Sequence, residues 1–124
     1  MKKLIALTAI AVGMTISGLA LAHGAKPKHG GVVHSANDLT FELVAKSGKA
    51  VIYVDDHGTS LPTTGATGSI TVLSGGKKSE ARLEPTGMNS LTSKTELKLA
   101  RGSKAVASIT LAGKQAVSVR FSHK

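Results

Sequence analysis

From Val32 onward, short runs of apolar and β-branched residues alternate with clusters of Gly, Asn, Asp and Ser at intervals of about 8 to 12 residues, an all-β rhythm. In LTFELVAK (39–46), Leu39, Phe41, Leu43 and Ala45 fall on one face and Thr40, Glu42, Val44 and Lys46 on the other, as in a half-buried strand. Ser47-Gly48-Lys49 reads as a turn, after which AVIYVDD (50–56) returns. SITVLS (69–74) and KSEARLE (78–84) flank Gly75-Gly76, a dipeptide that takes the positive φ values of a tight hairpin. TELKLA (95–100), AVASITLA (105–112) and AVSVRFS (116–122) continue the alternation, with Arg101-Gly102-Ser103 and Gly113-Lys114-Gln115 as turns.

No stretch after residue 23 carries a sustained i, i+3, i+4, i+7 apolar stripe, so no substantial helix is expected. Seven or eight short strands bury their apolar faces most economically as an immunoglobulin-like antiparallel β-sandwich, with an open barrel as the alternative. The longest internal stretch of loop character, HGTSLPTTGATG (57–68), opens on a histidine.

The first 22 residues belong to a different class. Lys2 and Lys3 precede an apolar run to Leu21, and Ala20-Leu21-Ala22 has the small-x-small form of a cleavage site, which predicts a secretory signal peptide over 1–22. Cleavage there leaves a chain that begins at His23, with no transmembrane segment. Residues 23–31 offer glycine, lysine, proline and histidine but little for a core, and are expected to form a flexible arm. The β-sandwich domain then occupies 32–124.

Composition narrows the picture. There is no cysteine, and the only aromatic residues are Phe41, Tyr53 and Phe121. An exported domain of this size therefore has no disulfides, and its core must come from Val, Leu, Ile and Ala. The lysine-led apolar leader points to the periplasm. The formal charge of +9 falls to +7 once Lys2 and Lys3 are removed, and it is spread along the domain without the basic–aromatic interleaving of a nucleic-acid surface, so nucleic acid is not an expected partner. No nucleophile elbow, phosphate-binding glycine loop or thiol is present, and we read no enzyme.

The remaining chemistry is histidine. A free N-terminal His23 can chelate a metal through its α-amine and ring Nδ1, an arrangement that suits the tetragonal preference of Cu(II). His29, His34 and the Asp56-His57 pair add imidazole and carboxylate donors acceptable to copper or zinc. His29 and His34 are an odd number of residues apart and would face opposite ways on one strand, so they converge only if Gly30-Gly31 bends the chain. Met88 could be a soft ligand for Cu(I), but the expectation is that it packs as a cap over the sandwich edge.

The run HGGVVHSANDLTFELVAKSGKAVIYVDDHGTSLPTTGATGSITVLSGGKKSEARLEPTGMNSL, with GSKAVASITLAGKQAVSVRF further on, resembles the small N-terminal β domain of periplasmic adaptor (membrane fusion) subunits of heavy-metal resistance-nodulation-division efflux systems. The chain has no lipoyl half-motif, long α-hairpin or further barrel domain, so it looks like that small domain standing alone. The resemblance implies a role near metal efflux, with an efflux adaptor or pump as a possible protein partner, and it puts His29, Asp56 and His57 at the matching motif positions. A looser likeness, through His23 alone, is to periplasmic copper-resistance sandwiches whose mature N-terminal histidine binds copper.

These readings combine into an expectation: a periplasmic metal-binding protein for copper or another heavy-metal ion, acting in metal resistance, delivery or efflux. The alternative is a non-metal interaction module whose basic surface docks on an efflux complex or an anionic envelope component.

Overall fold

The computed structural model describes residues 26–123; the expected signal peptide and His23 lie outside them. Nine strands are formed: β1 (Val32–Ala36), β2 (Leu39–Lys46), β3 (Lys49–Asp56), β4 (Thr59–Ser60), β5 (Thr67–Ser74), β6 (Lys77–Pro85), β7 (Ser90–Ser93), β8 (Lys104–Thr110) and β9 (Ala116–Ser122). All pairings are antiparallel, and no helix occurs among the described residues.

The all-β expectation holds. The ladder does not divide into two sheets: the strands run in one hydrogen-bonded order, β1-β2-β3-β7-β6-β5-β8-β9, with β4 paired to the end of β3. The two ends of this path, β1 and β9, lie against each other, so the sheet is rolled into a nearly closed, barrel-like arrangement.

Local chemistry sets the register of four hairpins. Asn37-Asp38, Ser47-Gly48, His57-Gly58 and Gly75-Gly76 each join two strands as a two-residue loop, and both residues of every pair have positive φ, as a type I′ turn requires. Asn, Asp and His are among the few non-glycine residues that enter this region readily. The turn at Asp56-His57-Gly58 thus fixes where the Asp56 and His57 side chains stand.

Alternate residues of the long strands turn inward. Phe41, Leu43, Ile52, Val54, Ile70, Val72, Ala107, Ile109, Val119 and Phe121 are buried in a single core. Both phenylalanines are inside, and the aliphatic residues expected to fill the core do so.

Two connections close the ends of the roll. TELKLA (95–100), expected as a strand, pairs with no ladder; it belongs to the link between β7 and β8, which are not neighbours. Leu97 and Leu99 still alternate inward, and the Leu97 amide donates to Gly48 O at 2.8 Å. An extended crossing segment has the same period as a strand, so the pattern alone does not distinguish them. At the other end, residues 61–66 link β4 to β5 with Thr63 completely buried. The Thr63 amide donates to Met88 O at 3.0 Å, and its hydroxyl lies within bonding distance of Met88 O (3.0 Å) and Ser90 O (2.8 Å).

Replacing Thr63 by valine keeps the volume and removes the hydroxyl from two buried carbonyls. Thr63→Val is expected to lower stability by about 1–3 kcal/mol, read as a lower urea midpoint at unchanged slope.

Candidate functional site

The site begins with a charge in an unexpected environment. Glu42 sits on the polar face of β2, opposite the core, yet it is only 5% exposed. It stands in one cross-strand row with Val33 of β1 and Tyr53 of β3. What covers it is the segment before β1. Main-chain amides of Lys28 (2.9 Å, to Oε1), His29 (2.8 Å, to Oε2) and Gly31 (2.8 Å, to Oε2) all donate to the Glu42 carboxylate.

Two glycines allow that approach. Gly30 has φ +74°, and a Cβ at Gly31 would run into the carbonyl oxygen of Leu43. The chain leaving β1 therefore folds back over the outer face of β2 and β3. The His29 ring stacks on Tyr53 with centroids 3.6 Å apart and planes 13° from parallel. Lys28 Nζ pairs with Asp55 Oδ2 at 2.8 Å and donates to Gly58 O at 3.1 Å. A cavity of about 310 Å³ remains under this strap, lined by Lys26, Pro27, Lys28, Val33, Thr40 and Tyr53, among others. The part of the expected flexible arm that the structure describes is thus bonded to the sheet at several points.

Asp55 is held from a second side by the Asn89 side-chain amide at 3.4 Å, which also donates to Val54 O at 3.3 Å. Immediately beyond it, His57 Nδ1 lies 2.6 Å from Asp56 Oδ1, with His57 largely and Asp56 about half exposed. An ionised carboxylate only accepts, so His57 Nδ1 carries the hydrogen, and in the neutral ring Nε2 then has the lone pair.

Of the predicted ligands, only the neighbours Asp56 and His57 are in contact. The Gly30-Gly31 bend carries His29 onto Tyr53, and the strap's Lys28 reaches the turn that bears His57. His34 is not part of this group. It pairs in register with the inward-facing Phe41 and borders a separate cavity of about 330 Å³ with Arg120 and Phe121, where β1 meets β9. Asp56 is engaged with His57. His23 lies outside the described residues. Among the described residues, no three His, Asp or Glu side chains are close enough to share a metal ion.

No protein-family model matches this chain, and no curated protein or solved structure matches it. The site is defined by its own geometry.

Met88, expected to pack as a cap, is 73% exposed, and the residue contributes its backbone carbonyl to Thr63. Reasoning from side chains overlooked Glu42, Tyr53, Lys28 and Asp55. One hint was present: a carboxylate in the middle of the apolar run LTFELVAK has to find donors if anything covers it.

Truncating His29 removes the ring from Tyr53 and leaves its amide bond to Glu42 available. His29→Ala is expected to change Tyr53 fluorescence and to cost at most about 1.5 kcal/mol of stability. With no tryptophan and a single tyrosine in the chain, the emission comes from Tyr53.

Proposed function

We propose that this chain is a periplasmic metal-binding protein that carries copper or another heavy-metal ion as cargo in resistance, delivery or efflux. The observation that carries the reading is the Asp56–His57 pair: a histidine that donates its Nδ1 hydrogen to a carboxylate presents a fixed Nε2 lone pair, the usual condition of a metal-ligating imidazole. The His57 side chain is 78% exposed, so that nitrogen is open to an incoming ion.

The strap supports the same reading. Lys28 is bound beside Gly58, and the chain therefore joins the sheet next to the His57 turn, with His29 on the adjoining Tyr53. His23 stands five positions before Lys28 and adds an imidazole and, after cleavage at Ala22, a free amine. The described residues do not close a site by themselves, so the reading requires further donors. The likeness to the small β domain of heavy-metal efflux adaptors points the same way and suggests an adaptor or pump as the receiving partner.

A second reading has its own observation. The outer face of β5, β6 and β8 forms a groove of about 740 Å³ lined by Thr67, Ser69, Thr71 and Ser108, with Arg82 and Lys94 and one carboxylate, Glu80, also in its lining. Neither cation forms an ion pair among the described residues. Such a face suits electrostatic docking on an anionic envelope component, an interaction that weakens steeply with salt, whereas inner-sphere coordination hardly responds.

Cu(II) titration with electron paramagnetic resonance separates these readings. The protein is expressed from the full sequence, its N-terminus is sequenced, and it is compared with His57→Ala and with a variant carrying one glycine inserted before His23. The expected result is a nitrogen-rich Cu(II) signal that weakens about tenfold or more in His57→Ala. Affinity should fall as pH drops through about 6.5, because protonated imidazole cannot coordinate. Loss of the signal in the glycine variant assigns the amine of His23 to the site; binding indifferent to every histidine overturns the reading.

A further inference from the structure

We infer that Glu42 is the positioning residue of the metal site: it seats the N-terminal strap across β2 and β3, and the seated strap fixes the turn on which His57 stands. The inference rests on the metal-binding reading above and adds a residue that is itself no ligand.

The argument follows connected contacts. Glu42 is buried and accepts amide hydrogen bonds from Lys28, His29 and Gly31, so three of four successive strap residues are held by one side chain. Its cross-strand neighbour Tyr53 supports the His29 ring, which places this imidazole over β3. Lys28, held at its amide by Glu42, sends its ammonium group on to Asp55 Oδ2 and Gly58 O. Those two contacts bracket Asp56 and His57 on both sides. The turn lies in the left-handed region, with His57 at φ +51° and Gly58 at φ +86°, and it is exposed to solvent. Apart from the two-residue pairing with β4, the lysine is what clamps it from the strap side.

Two consequences follow. With Glu42 in place, the turn that carries His57 is held from the strap side, and an incoming ion meets an imidazole on a preorganised turn. Without Glu42, the three amides lose their acceptor and the strap lifts, and the His57 turn keeps its pairing with β4 and the Asp56 bond but loses the clamp from Lys28. Partners one shell removed from a metal commonly change its affinity by about tenfold or more.

The test uses Glu42→Ala and Lys28→Ala in the full chain, with three readouts: Tyr53 emission, hydrogen exchange at the Lys28, His29 and Gly31 amides, and Cu(II) affinity with its paramagnetic resonance spectrum. In Glu42→Ala, emission should change and the three strap amides should exchange freely, while ladder amides of β5 and β8 stay protected. In Lys28→Ala, the amides of His29 and Gly31 should remain protected. Cu(II) affinity should fall about tenfold in both variants, with an altered spectrum.

If the strap amides stay protected in Glu42→Ala, Glu42 does not seat the strap and the inference is overturned. If the strap is freed but Cu(II) binding is unchanged in both variants, seating does not position the site. If wild-type protein binds no Cu(II) while Glu42→Ala still frees the strap, the metal-binding reading has failed and the positioning role fails with it, but the seat itself stands. Should Glu42→Ala not fold, Lys28→Ala decides, because its side chain is half exposed and its loss leaves the core intact.

Discussion

The structure depends on one carboxylate that would otherwise be in the wrong place. Glu42 belongs to the solvent-facing side of β2, where a charge needs no explanation. The strap makes it a buried group, and burying a charge is unfavourable unless donors are supplied. Three main-chain amides supply them, so covering the charge and ordering the strap are a single event: neither is stable without the other. Everything at that end of the molecule follows, from the ring stacked on Tyr53 to the lysine that reaches the His57 turn.

The same event explains why the chain needs glycine before β1. A strap that crosses over β2 before entering β1 must pass close to the backbone of β2. Gly31 has no Cβ to meet the Leu43 carbonyl, and Gly30 supplies the left-handed bend. His-Gly-Gly is therefore a structural phrase as much as a chemical one: the glycines bend and admit the chain, and the histidine is laid on an aromatic ring. The stacking uses the face of the imidazole rather than its edge, where the nitrogens are.

Much of the fold was legible because it is written in periodicity. β2, β3, β5, β6, β8 and β9 show clean two-residue alternation, and Gly75-Gly76 announces its own hairpin. The weaker elements were hidden for identifiable reasons. β4 and β7 are too short to establish a period, and TELKLA has the period of a strand while crossing between non-neighbours. The site was less legible. Histidine and aspartate attract attention by type, but the contacts that organise the strap are made by backbone amides, which have no letter in a sequence. His29 and His34 also show the limit of spacing: a glycine bend does occur between them, yet it carries them to different faces of the same sheet.

The rolled sheet joins two kinds of pairing. β1 with β2, β2 with β3, β5 with β6, and β8 with β9 are bridged by turns of a few residues, whereas β3 with β7 and β5 with β8 bring together segments far apart in the chain. Loop closure is inexpensive for the first group and entropically demanding for the second. Hairpins therefore close at little entropic cost, while the β1–β3 meander and the β5–β6 hairpin are joined through the four-residue β7. Among the described residues, and with no cysteine in the chain, this short strand is the hydrogen-bonded seam between the two halves of the ladder, so the continuity of the whole roll passes through four residues.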